Sequence, residues 1–293
     1  MDDRGLSKLL HESWIKLQSH FDPAIKPLVT ESGLSMREWM MLLAALTFEP
    51  EDITPSHLMV RGPYTSSEQY LMWLNNTAEQ GFLINISNGS FRLSPKGRKA
   101  TDEFIKLARE AMAESDPLTL AESMVLAEML ARLVDHCLDT PPPPNTWSIS
   151  LSNKLMPAIE PPMPFIEQAI SCLSAYRDDA HLASWRSSGL SATALESLTL
   201  IWNCQVSALD ELIEKLSFRG HPRKVYMDAL AELRTREFVS GINSILRITD
   251  EGKLFRDRVE TKTDQHFFAP WSCLTQAEKE RMNELVIKLR DEL

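Results

Sequence analysis

The chain has 293 residues, enough for two domains of ordinary size that each bury a core. Its 43% hydrophobic and 25% charged content is that of a soluble globular protein, and no apolar run approaches the ~20 residues of a bilayer span, so no membrane partner is expected. The net charge of −10 disfavours a polyanion on its face, which makes the placement of charge matter more than its sum. The start, Met1-Asp2-Asp3-Arg4, is acidic and no apolar h-region follows it, so a cytoplasmic location is expected. Cys137, Cys172, Cys204 and Cys273 lie more than thirty residues apart, which excludes a CxxC zinc knuckle and reads as buried thiols in a reducing compartment.

In chain order, Leu9 to His20 reads as helical, and Asp22-Pro23 breaks or re-caps that helix. Ser35 can cap the next helix with Glu38 as its capping-box partner, and that helix carries Trp39, Met40, Leu42, Leu43 and Leu46 toward a core. Thr54-Pro55 starts a short helix. Gly62-Pro63 turns, and Thr65 or Ser66 caps a helix to about Glu79. Phe82 to Ile86 and Phe91 to Leu93 read as a hairpin closed by an Asn-Gly turn. Helices follow over Pro95 to Met112 and about Leu120 to Cys137. From Thr140 to Gln168 prolines crowd the chain, beginning with Pro141 to Pro144, which predicts an extended, stiff connector.

The sequence then repeats itself. Gly33-Leu34-Ser35 recurs 156 residues later as Gly189-Leu190-Ser191, and Tyr70, Leu74 and Phe82 match Tyr226, Leu230 and Phe238. Arg92-Leu93-Ser94-Pro95-Lys96-Gly97 meets Arg247-Ile248-Thr249-Asp250-Glu251-Gly252, and Leu118 to Glu122 meets Leu274 to Glu278. In the second copy Gly220-His221-Pro222 falls at the turn, Val225 to Arg236 forms the third helix, and Val239 to Ile248 forms a shorter wing around Gly241-Ile242-Asn243-Ser244. Helix, short helix, turn, helix, hairpin, helix is the order of a winged helix-turn-helix. The expected fold is mainly α with small β-wings: a winged-helix domain over 1–139, the connector over 140–168 and a second winged helix over 169–293. Residues 30–138 and 186–293 should superpose about an intrachain pseudo-twofold through their terminal helices.

The first half resembles the MarR family of bacterial regulators. The resemblance rests on Gly33-Leu34-Ser35-x-x-x-Trp39, on Leu58-x-x-Arg61-Gly62-Pro63-Tyr64, and on Leu93-Ser94-x-x-Gly97-Arg98, where that family has Leu-Thr-x-x-Gly-Arg after its wing. It implies long terminal helices that build a dimer, and a small-molecule pocket between dimer helices and winged helix. The second half is similar to the C-terminal part of a group of bacterial helix-turn-helix proteins, through Arg177-Asp178-Asp179-x-His181, Gly189-Leu190-Ser191 and Thr263-Asp264-x-x-x-x-x-Pro270-Trp271.

Double-stranded DNA is the first partner this order suggests, since a third helix enters the major groove while the wing meets backbone. Ser56 to Ala100 holds five basic and two acidic residues, and Ser217 to Lys262 holds ten against seven. The candidate contacts are Arg61, Ser66, Ser67, Gln69, Arg92, Lys96, Arg98 and Lys99 in the first copy, and Arg219, His221, Arg223, Lys224 and Arg247 in the second. The competing reading makes these solvated charges on a winged helix that touches no DNA. Tyr70 and Tyr226 read as core residues of the third helices.

A second cluster, Arg177, Asp179, His181, Trp185, Asp264 and Trp271, fits either a buried polar network or a pocket for a small-molecule effector. Asp178 and His181 at metal-ligand spacing lack a third ligand, so no metal is expected. There is no GxSxG, P-loop, GxGxxG or HExxH, so neither an enzyme nor a cofactor is expected. The preferred reading is a single-chain pseudo-dimer that regulates transcription, with a second copy of the chain as a further candidate partner. The alternative is a winged-helix scaffold or sensor.

Overall fold

The computed structural model describes residues 2–87, 89–140, 147–241 and 245–293. Asn88 of the expected Asn-Gly turn, Pro141 to Pro144 of the connector, and Ile242, Asn243 and Ser244 of the second wing lie outside the described residues. The described elements run α1 (Asp3–Ser32), α2 (Met36–Phe48), α3 (Pro55–Arg61), α4 (Ser67–Glu79), β1 (Leu83–Ser87), β2 (Ser90–Leu93), α5 (Pro95–Glu114), α6 (Leu120–Asp139) and α7 (Trp147–Asn153). They continue as α8 (Pro162–Arg186), α9 (Ala192–Trp202), α10 (Leu209–Lys215), α11 (Arg223–Thr235), β3 (Val239–Ser240), β4 (Arg247–Ile248), α12 (Asp250–Phe268) and α13 (Gln276–Glu292). The order α1 to α6 with its hairpin thus recurs as α8 to α13 with its own. Among the described residues, no helix is long and apolar enough to cross a membrane.

Two compact units form, and they cut across the boundaries expected at residues 139 and 169. One unit holds Met1–Ile53, Leu74–Asp179 and His266–Leu293; the other holds Thr54–Trp73 and Ala180–Gln265. Helices α4, α8 and α12 contribute residues to both.

In the first unit α1 packs on α5 and α13. Its buried stripe, Leu6, Leu9, Leu10, Leu17, Phe21 and Ile25, keeps helical spacing through Pro23. The expected break at Asp22-Pro23 therefore does not occur. Pro23 and Pro27 each remove one amide donor, but burial of Phe21 and Ile25 on either side holds the turn helical. Gly33 ends α1 in the left-handed region at φ 70°. Ser35 and Glu38 close the capping box of α2, whose Trp39 and Leu42 are fully buried, whereas Met40, expected on the core face, is exposed.

The connector differs from its expected form too. Residues 147–153 are helical, and Pro162 opens α8 at a position where a missing amide costs nothing, so 162–168 belongs to a helix. Asp179 fastens α7: its two carboxylate oxygens accept the buried amides of Ser148 (2.9 Å) and Ile149 (3.1 Å). The thiols follow expectation for Cys137 and Cys172, which are buried, but Cys273 is only half-buried and Cys204 is exposed just past the end of α9.

In the second unit α9, α10, α11, β3 and β4 enclose Leu195, Leu198, Leu212, Tyr226, Leu230 and Leu233. Thr54 caps α3 by accepting the His57 amide, and Ser66 caps α4 by accepting the Gln69 amide (3.0 Å). Tyr70 and Tyr226 are core residues of their helices, each donating its hydroxyl to a carbonyl, Gly62 (3.1 Å) and Leu216 (3.0 Å) respectively.

The repeated motif after each hairpin has a steric cause. A Cβ on Gly97 would lie 1.9 Å from the Phe82 carbonyl oxygen, and one on Gly252 would lie 2.1 Å from that of Phe238. Gly97→Ala and Gly252→Ala should each lower stability by about 1–3 kcal/mol, the usual cost of overpacking, as measured by urea unfolding. A neutral outcome at either position would show that the helix start can shift to admit the methyl group.

Capping boxes also recur at α6 (Thr119, Glu122) and α13 (Thr275, Glu278). Each of these carboxylates also pairs with the other helix: Glu122 accepts from Lys288 (2.8 Å), and Glu278 accepts from Arg132. Both acids are held at about 2 against an ordinary 4.5, Glu122 by Lys288 and then Thr119, Glu278 by the Thr275 amide and then Arg132. Their folded values lie below the unfolded ones, so the stabilisation is present above pH 4.5 and is lost as pH falls toward 2. Glu122→Gln combined with Glu278→Gln should flatten the acid limb of the urea midpoint across that window. Superimposable acid limbs would mean that other carboxylates set it.

Candidate nucleic-acid interface

In a helix-turn-helix the N-terminal end of the third helix does the reading, so the two turns that launch α4 and α11 are the places to look. Both lie in the second unit, and they meet. The Ser66 amide donates to the Arg219 carbonyl (2.9 Å), and the Ser66 hydroxyl to the Gly220 carbonyl (3.4 Å). His221 Nε2 must carry its proton, because it donates to the Tyr64 carbonyl (2.9 Å). Gly220 sits at φ 72°, and a Cβ there would fall 2.6 Å from that of Gln69.

The Arg219 side chain completes the contact. Its guanidinium pairs with Glu196 of α9 (2.5 Å), donates to the Thr65 hydroxyl (3.0 Å), and lies 4.6 Å over the Phe218 ring and 5.6 Å over that of Tyr64. Burial raises the Glu196 carboxyl above its ordinary value, with Arg219 opposing that shift. Thr65 and Ser66 are buried, so Ser66, expected to face DNA, instead caps α4 and ties the two turns.

The remaining candidates are mostly exposed but matched by acids. Arg92 pairs with Asp52 (2.6 Å), Arg98 with Glu49, Arg223 with Asp210 (2.5 Å) and Lys224 with Asp228 (2.6 Å). Lys96 donates to the Gln80 carbonyl (2.8 Å) and covers the Phe82 ring at 3.9 Å. Arg61, Ser67, Lys99 and Arg247 are exposed, and Gln69 is half-buried. Arg92, Lys96, Arg98 and Lys99 belong to the first unit, whereas Arg61, Ser67, Gln69, Arg223, Lys224 and Arg247 belong to the second. The second unit holds thirteen Lys or Arg against thirteen Asp or Glu, so it is formally neutral. The windows that looked positive in sequence had excluded Glu49, Asp52, Glu196 and Asp210, each of which folds back onto a cation inside them.

The expected effector cluster is divided. Arg177, Asp179 and Trp271 fall in the first unit; His181, Trp185 and Asp264 fall in the second. Arg177 lies 5.7 Å over the Phe267 ring, and Asp179 is spent on the α7 amides. Trp271 is fully buried against Phe267 and Phe268. In the second unit His181 Nδ1 lies 3.3 Å from the Thr263 hydroxyl, Trp185 is buried beside Tyr64, and Asp264 is half-buried on α12. His181 reaches Thr263 as the network reading expects, whereas the buried indole N–H groups of Trp185 and Trp271 meet no hydrogen-bond acceptor among the described residues. Among the described residues, no group of three His, Cys, Asp or Glu side chains is placed to hold a metal ion.

A groove that sequence reasoning missed opens in the first unit. Ile105, Arg109 and Ala113 of α5 line it with Lys154, Leu155 and Met156, around a volume of about 680 Å³. Arg109 donates to the Leu155 carbonyl (2.6 Å), Lys154 donates to that of Thr47 (2.7 Å), and burial pulls the Arg109 guanidinium below its ordinary value. Its signal in sequence was the helical stripe Ile105, Arg109, Ala113, but the partner wall comes from a connector that periodicity does not place.

No curated protein and no solved structure matches the chain. Residues 92–293, from the second strand of the first hairpin through α13, match the model of a helix-turn-helix family. With more than half of its length so matched and both turns built as described, the chain belongs to this helix-turn-helix family.

Proposed function

We propose that the chain is a DNA-binding transcriptional regulator, built as a single-chain pseudo-dimer of two MarR-like winged helices and working without catalysis in the cytoplasm. The observation that carries this reading is the first turn of α11. Arg223 and Lys224 stand exposed at the start of a third helix that lies wholly inside the family match. Their acidic partners, Asp210 and Asp228, are more than half exposed, and such pairs contribute about 0–1 kcal/mol. A phosphate can therefore displace them. The reciprocal pairs Glu122–Lys288 and Glu278–Arg132 support the pseudo-twofold, because a twofold contact joins i to j and j to i. The groove beside Arg109 supports a small-molecule effector.

The neutral balance of the second unit favours a second reading, a winged-helix scaffold that makes no DNA contact. Selection from random duplex DNA at low salt separates the two, since a scaffold enriches no sequence. On the DNA reading, Arg223→Ala with Lys224→Ala should weaken binding to the selected site and reduce the log K against log salt slope by about 2. Ser67→Ala should leave that slope unchanged. A slope indifferent to the loss of both cations would remove α11 from the interface.

A further inference from the structure

The contact between the two turns sets a distance that DNA reading does not tolerate. Paired helix-turn-helix heads enter successive major grooves, which places the reading ends of their third helices about 34 Å apart. Here the cap of α4, Ser66, is hydrogen-bonded to Arg219 and Gly220, which stand three and two residues ahead of Pro222, the cap of α11. The reading ends are therefore in contact. The contact is also built for the purpose. Arg219 is paired, hydrogen-bonded and covered by two rings, and Gly220 leaves the space that the Gln69 side chain occupies.

We propose that the Arg219 latch, closed by Glu196 and Thr65, is an autoinhibitory contact that keeps the two reading ends together, and that both heads engage DNA only after it opens. The inference rests on the DNA-binding reading above. It assigns Glu196 and Thr65 the role of positioning residues that hold the turn and make no DNA contact. It also explains why the described arrangement shows the cap of α4 buried: this is the closed form.

The test uses the full chain with Cys204→Ser and Cys273→Ser, carrying spin labels at Glu68→Cys and Met227→Cys, both exposed positions on α4 and α11. The distance between labels is measured with and without the selected DNA. It should lengthen on DNA. The latch variant, Glu196→Gln with Thr65→Val, should populate the long distance without DNA. If the open form makes up about one part in ten of the unmodified chain, the variant should bind DNA about tenfold more tightly. Thr65→Val alone, which removes one acceptor and keeps the side-chain shape, should give a smaller shift in the same direction and guards against misfolding of the double variant.

Equal affinity of variant and unmodified chain, with a short label distance retained on DNA, would overturn the latch and leave the DNA reading standing. A variant that opens by label distance yet binds no duplex at low salt would overturn the DNA reading, and the autoinhibitory role with it.

Discussion

A guanidinium that leaves water must find its charge and its N–H groups matched, or it costs several kcal/mol. Arg219 meets that demand with a carboxylate, a hydroxyl and two aromatic faces, and three of these four groups come from two other segments, Tyr64 and Thr65 from the turn before α4 and Glu196 from α9. Once its side chain is fixed, its carbonyl is fixed too and becomes the acceptor for Ser66. The next residue must then be glycine, since Gln69 fills the space beside it, and the one after must place an imidazole against Tyr64. The compact unit that joins residues 54–73 to 180–265 depends on this chain of necessities.

At α6 and α13 a different economy operates. One oxygen of Glu122 accepts the Thr119 amide, the Thr119 hydroxyl and the Lys288 ammonium. A helix start and a helix–helix contact thus share a single charged atom. At Glu278 the two carboxylate oxygens divide the work, Oε2 accepting from Thr275 and Oε1 from Arg132, so the helix's own unpaired amide still positions an ion pair that an exposed, unrestrained side chain would hold only weakly.

Much of this was legible in sequence wherever the cause is local. Ser35 and Thr54 cap helices as expected and the cap of α4, left open between Thr65 and Ser66, falls to Ser66, because a short hydroxyl side chain three residues ahead of an unpaired amide has few better partners. The tyrosines and glycines at matched offsets take matched roles. What failed was non-local. Pro23 looked like a helix end, and only the burial of Phe21 and Ile25 against other helices decides otherwise. The charge windows counted neighbours along the chain, whereas Arg92 and Arg98 find Asp52 and Glu49 about forty to fifty residues away. The effector cluster was assembled from adjacency on a helix, which cannot foresee that Asp179 turns to α7. One clue was available at Glu196, which stands 156 residues after Met40: a charge at an offset where the sequence otherwise matches apolar to apolar points to a contact made only once.

That departure carries a consequence for any target sequence. Two identical subunits must make every cross-contact twice, so their recognition surface maps onto itself by a half-turn and favours a palindrome. A fused pair is free of that obligation. Arg219 faces Thr65 here, while the position matching Arg219 in the first copy is Pro63, so the contact has no twin. The exposed starts of the two third helices differ as well, Ser67 and Glu68 on one and Arg223 and Lys224 on the other. On the DNA reading, the chain has a left and a right hand, its preferred site is two unlike half-sites, and its orientation along a promoter is set by the sequence it meets.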